Sequence, residues 1–114
     1  MDHKTVEDYV LSMPNAWLDY PFGEGVAVYK VGGSPPDKEA GKMFALISED
    51  KDPLQISLKC DPTLSKLLRE KYETVMEGYH LNKKHWITIV LTGQLDWEEV
   101  KAQIRHSYIL VNGA

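Results

Sequence analysis

A chain of 114 residues has room for one domain with its own core and not for two. Apolar residues make up 43% and charged residues 26%, close to the globular average, which excludes a disordered chain, and no apolar run approaches the ~18 residues of a membrane span. The net charge of −4 speaks against bulk electrostatic wrapping of nucleic acid. A single cysteine, Cys60, and the acidic opening MDHKTVEDYV predict no internal disulfide, no export signal and a reducing, cytoplasmic setting.

In chain order, a first helix is predicted over 5–13, with Thr5 and Asp8 in capping-box spacing, Val6, Tyr9, Val10 and Met13 on one face, and Pro14 closing it. The segment 14–25, PNAWLDYPFGEG, reads as an ordered loop pinned to the core by Trp17, Tyr20 and Phe22. Three strands follow at 26–31, 42–48 and 54–59, the first two separated by the solvated, mobile loop GGSPPDKEAG and the last two by the acidic turn EDKDP. Within 54–59, Leu54, Ile56 and Leu58 alternate with Gln55, Ser57 and Lys59, so the strand has one core face and one wet face and Lys59 points away from the core.

A second helix opens at Asp61 as N-cap with Pro62 at the first position, and Leu64, Leu67, Leu68 and Tyr72 form its expected buried stripe. The β-branched run at 86–91 predicts a central strand ending by Gly93. Asp96 and Glu99 then cap a last helix, with Leu95 and Val100 as a hydrophobic staple, Ile104, Tyr108 and Val111 continuing its face, and Asn112-Gly113 stopping it. Helix, three strands, helix, strand, helix is the order of a two-layer α+β domain. An antiparallel sheet carries its helices on one face, and the face with Gln55, Ser57 and Lys59 stays open to solvent or a partner.

No enzyme motif stands out. Cys60 precedes a helix N-cap, and His80, His85 and His106 are the bases a nucleophile would need, but no nucleophile elbow surrounds it, and a lone cysteine reads first as a small buried hydrophobe. His80 and His85, with Glu73 and Glu77 nearby, lack any established metal-site spacing. The glycines at 23, 25, 32 and 33 match neither phosphate-loop nor dinucleotide patterns, so no cofactor is expected.

The densest chemistry is GYHLNKKHW at 78–86, inside residues 59–95, where six Lys and Arg outnumber four acids; residues 1–58 carry five Lys against ten acids. Lys83 and Lys84 suit phosphates, Asn82 a base edge, and Tyr79, His80, His85 and Trp86 offer planar rings. The structural reading of the same residues is a turn built by Asn82, anchored by Trp86, with solvated lysines.

HLNKKHW at 80–86 with Gly78-Tyr79, SLKCDP at 57–62 before a Leu-rich helix, SYILV at 107–111 and the MPNAWLDYPFG opening together resemble the MmcQ/YjbR family over nearly the whole chain. The resemblance implies a small bacterial cytoplasmic domain of frataxin-like, CyaY-type architecture and a DNA-binding, non-enzymatic role. The site residues carried over are Lys59, His80, Asn82, Lys83, His85 and Trp86, with Lys84 beside them. The expected partner is double-stranded DNA, bound by a monomer without cofactor or membrane. The alternative is a module for a small ligand, a metal such as iron, or a protein, with HLNKKHW as a structural lock.

Overall fold

The computed structural model describes residues 2–33, 41–78 and 81–113; most of the predicted 32–41 loop, together with Tyr79 and His80, lies outside them. The elements are α1 (His3–Leu11), β1 (Ala16–Asp19), β2 (Val26–Val31), β3 (Lys42–Ser48), β4 (Gln55–Lys59), α2 (Pro62–Lys71), β5 (Val75–Glu77), β6 (Trp86–Val90) and α3 (Trp97–Asn112). Six antiparallel strands pair in the order β1-β2-β3-β4-β6-β5. The chain leaves β4, crosses through α2 to the edge strand β5, and returns as β6 between them. The fold class is the predicted α+β sandwich of sheet and helices.

One face of the sheet is the core. Tyr29, Ala45, Ile47, Ile56, Leu58, Ile87 and Ile89 are fully buried there against Val6 and Val10 of α1, Leu68 of α2, and Val100 and Ile104 of α3. Between β2 and β3 the register slips, Tyr29 facing Ala45 and Lys30 facing Met43, so Phe44 is an inserted residue. Such a bulge lets two consecutive residues face the same side, and Phe44 and Ala45 both enter the core, Phe44 edge-on to Tyr108 at 5.4 Å. The β3–β4 pairing reaches only to Ala45–Leu58. Beyond it the Ser107 hydroxyl of α3 accepts from the Lys59 N–H (2.9 Å) and donates to the Phe44 carbonyl, joining the strands where the ladder stops.

Four expectations are corrected. The first helix is capped by Asp2, whose carboxylate accepts from Thr5 N–H at 2.8 Å, and it ends at Leu11 rather than Met13. The segment read as a loop at 14–25 contains β1, four residues between Pro14 and Pro21 and too short to show a period. Its aromatics are not all pins: Trp17 is half-buried, but Tyr20 is exposed and Phe22 is 62% exposed. Leu67 leaves the buried stripe of α2 and is exposed, because the helix is seated on Leu68, Ser65 and half-buried Leu64 at the sheet edge. The three-residue β5 was also unread, its pairing supplied by Val75, Met76 and Glu77 facing Ile89, Thr88 and Ile87. The caps at Asp61 and Asp96, the latter accepting from Glu99 N–H at 2.8 Å, and the stop at Gly113 stand where predicted.

Candidate functional site

The other face of the sheet follows from the register. Trp17 and Asp19 (β1), Val28 and Lys30 (β2), Leu46 and Ser48 (β3), Gln55, Ser57 and Lys59 (β4), and Trp86 and Thr88 (β6) alternate with the core residues. No buried helix residue belongs to the small apolar cluster here, Val28, Leu46 and Trp86 with Leu81 packed on it. This is the open face expected from the alternation at 54–59.

Polar groups on it are paired across strands. Ser57 and Thr88 are directly opposed and buried, with hydroxyl oxygens 2.8 Å apart. Lys30 reaches Asp19 at 3.2 Å, both side chains nearly buried, while its ammonium also lies 5.4 Å from the Trp17 ring centre. The second Asp19 oxygen accepts from Tyr20 N–H at 2.9 Å. Charge this deep persists only where it is paired and hydrogen-bonded.

The turn entering β6 is built by three residues. Asn82 Oδ1 accepts from Lys84 N–H (2.9 Å) and His85 N–H (3.3 Å), a side chain standing in for a backbone turn. Gly78 donates to the Trp86 carbonyl at 2.9 Å, and a Cβ at position 78 would sit 2.6 Å from Trp86 Cβ, so only glycine fits. The His85 carbonyl accepts from Cys60 N–H at 2.8 Å, tying the turn to the start of α2. Trp86 is buried, and its ring is not offered to solvent.

The predicted residues therefore separate. Asn82 and Trp86 make the turn; Lys83, Lys84 and His85 are exposed on it, with no side-chain partner among the described residues. Lys59 is half-buried directly across from Trp86. His80 lies outside the described residues. Cys60 is 1% exposed, and burial, then the nearby Asp61 charge, pushes its thiol up to about 11, which disfavours the thiolate. His106 accepts from Asp61 N–H through Nε2 at 3.3 Å.

Sequence reading missed two features. The first is a cavity of about 350 Å³ on the open face, lined by Phe22, Leu46, Ser57, Thr88 and Leu81 and, toward the β3–β4 turn, by Asp50, Lys51 and Gln55. Its walls come from segments far apart in sequence, of which the alternation at 54–59 marks the open face through Gln55 and Ser57. The second is a cluster where α1 meets the end of β3. His3 Nε2 lies 2.7 Å from Glu49 Oε2, out of line for a hydrogen bond, and 4.0 Å from Glu7. Tyr29 donates to Glu7 and Tyr20 to Glu49 (3.2 Å), and burial first, then these carboxylates, raises both phenol pKa values. The ligand atoms of His3, Glu7 and Glu49 lie within 4.8 Å of one another and are the described side chains that could hold a cation, although both carboxylates already accept a phenol.

Among the described residues, no helix is long and apolar enough to cross a membrane. Against known proteins, the family model described as YjbR matches residues 11–110. The uncharacterised protein YbdF of Escherichia coli O157:H7 is 35% identical over 109 residues, 96% of this chain and 83% of that protein. The uncharacterised YjbR of Escherichia coli K12 is 36% identical over 66 residues, 58% of this chain and 56% of that protein. Among solved structures, Deinococcus radiodurans DR2400 aligns with a TM-score of 0.88 at 34% identity, covering 96% of this chain and 77% of that one. A Pseudomonas syringae protein aligns with a TM-score of 0.75 at 29% identity, covering 97% and 99%.

Proposed function

Since the chain belongs to the YjbR family, we propose that it is a non-catalytic, DNA-contacting protein that meets the phosphate backbone with the turn at 81–86. The observation that carries this reading is the state of Lys83 and Lys84: both are exposed and free of carboxylate partners among the described residues, on a turn whose shape Asn82, Gly78 and Trp86 fix. Exposed ammonium groups with no carboxylate to give up meet phosphate without first breaking an ion pair. Lys59, opposite Trp86, adds a third positive charge at the same end of β4 and β6.

The turn entering the opposite end of β4 carries Glu49, Asp50 and Asp52 against the single Lys51, a net negative stretch that favours approach of a polyanion at the lysine end. This reconciles a local phosphate contact with a net charge of −4. The contact is small, and affinity should be modest and steeply salt-dependent.

The test is binding of labelled DNA, single-stranded and duplex, at increasing salt. The logarithm of affinity should fall with the logarithm of salt at about −0.9 per phosphate met on duplex and −0.7 on single strands. The double variant Lys83→Ala, Lys84→Ala should weaken binding and flatten the slope by about two phosphates' worth. No binding to either form at low ionic strength, or an unchanged slope in the double variant, rejects the proposal.

A further inference from the structure

The turn that presents Lys83 and Lys84 is also a wall of the open-face cavity, through Leu81. Resting on the DNA-contact reading, we infer that the cavity receives one unpaired base of a single strand whose adjoining phosphates sit on Lys83 and Lys84. The preferred ligand is then single-stranded DNA rather than duplex.

Four properties of the cavity support that occupant. Its volume, about 350 Å³, lies at the small end of ligand-binding clefts, which suits a flat ring system rather than a peptide or a lipid chain. Its floor and far wall are apolar, Val26, Leu46 and Leu81, and Phe22 stands at the rim with 62% of its surface exposed. An exposed phenyl ring beside an apolar cleft is a stacking surface for any base. Six lining residues are polar and of mixed kind: Asp50 accepts, Lys51 donates, and Gln55 and the hydroxyls of Ser48, Ser57 and Thr88 can do both, matching base edges that carry donors and acceptors together.

Position gives the fourth property. One residue, Asn82, separates Leu81 from Lys83, so their Cα atoms are at most about 7 Å apart, a span that lets one nucleotide touch both the cavity and the turn. Asp50 and Lys51 belong to the β3–β4 turn, which enters the end of β4 opposite Lys59. A nucleotide placed with its base in the cleft and its phosphates on the 81–86 turn therefore keeps those phosphates apart from the Asp50 carboxylate. A duplex cannot present this arrangement, because its bases are stacked and paired and extruding one costs free energy.

The experiment compares a short single-stranded oligonucleotide with its duplex by fluorescence anisotropy, using the wild-type protein and two cavity variants. Phe22→Ala removes an exposed ring, and Ser48→Phe places a ring inside the cavity from a half-buried strand position. Wild type should bind the single strand at least about tenfold more tightly than duplex. Loss of one stacked base should then weaken single-strand binding by about 5- to 150-fold in Phe22→Ala, with duplex binding unchanged. Ser48→Phe should do the same if its melting temperature shows it folded; Phe22→Ala decides the matter if it is not.

Equal affinity for the two forms, or single-strand binding indifferent to Phe22→Ala, overturns the inference. If Lys83→Ala with Lys84→Ala still abolishes binding in that case, the phosphate contact stands and only the base site falls. Absence of wild-type binding to any DNA overturns both.

Discussion

Ile56 and Ser57 are neighbours in β4, yet they belong to two different kinds of surface. Ile56 enters a face closed by three helices, where aliphatic side chains fill the space and each strand contributes alternate residues. Ser57 enters a face with no helix on it, where burial is achieved by cross-strand polar pairs and a thin apolar cluster. The core face tolerates any apolar residue of suitable volume. The open face depends on named partners, because a buried polar group without its mate costs more than the pair contributes. Its polar pairs are therefore the places where single substitutions separate the two faces most clearly.

The largest expected effect is at the Asp19–Lys30 pair. Asp19→Ala removes the carboxylate that meets a nearly buried ammonium and should destabilise the fold by about 3–4 kcal/mol, measured by denaturant unfolding. Replacing both partners with apolar residues, Asp19→Leu with Lys30→Met, should recover most of that loss. A single variant as stable as wild type would mean that the open face is not organised by paired charge.

Ser107 sharpens the comparison from the other side, since it is a polar residue on the core layer. Its hydroxyl bridges Phe44 C=O and Lys59 N–H where the β3–β4 ladder stops. Ser107→Ala removes the partner of both groups and should cost about 2–4 kcal/mol in the same unfolding experiment, ~1–3 for the buried Phe44 carbonyl and about 1 for the part-buried Lys59 N–H. Ser107→Thr keeps the hydroxyl and should lose less. A loss below about 1 kcal/mol in the alanine variant would show that the strands re-pair without the bridge.

How much of this was legible follows the same division. Short apolar or β-branched runs located β2, β3 and β6, period-2 alternation in 54–59 located β4 and placed Lys59 on the outer face, and side-chain caps at Asp61 and Asp96 placed two helices, since these signals are local. The strands β1 and β5 are four and three residues long and are specified by pairing with distant partners. The Asp19–Lys30 pair and the cavity depend on the same long-range register, which no short window contains. Within GYHLNKKHW the residue types were legible, but their division into builders and exposed groups was not, because Asn82 serves a turn as readily as a base edge.

That division supplies the smallest of the expected effects. Asn82 is exposed, so its two bonds to Lys84 and His85 N–H compete with water, and Asn82→Ala should cost only about 1 kcal/mol, a few degrees in melting temperature. Asn82→Asp retains an acceptor at the same place and should melt close to wild type, although a new negative charge beside Lys83 and Lys84 should weaken DNA binding. Lys83→Ala with Lys84→Ala should leave melting within about 0.5 kcal/mol of wild type, since neither ammonium has a partner to lose among the described residues. Stability and binding are thus predicted to move independently within three adjacent positions. If Asn82→Ala melted as wild type did, the carboxamide would not be a builder, and its oxygen would be available for the ligand that the lysines attract.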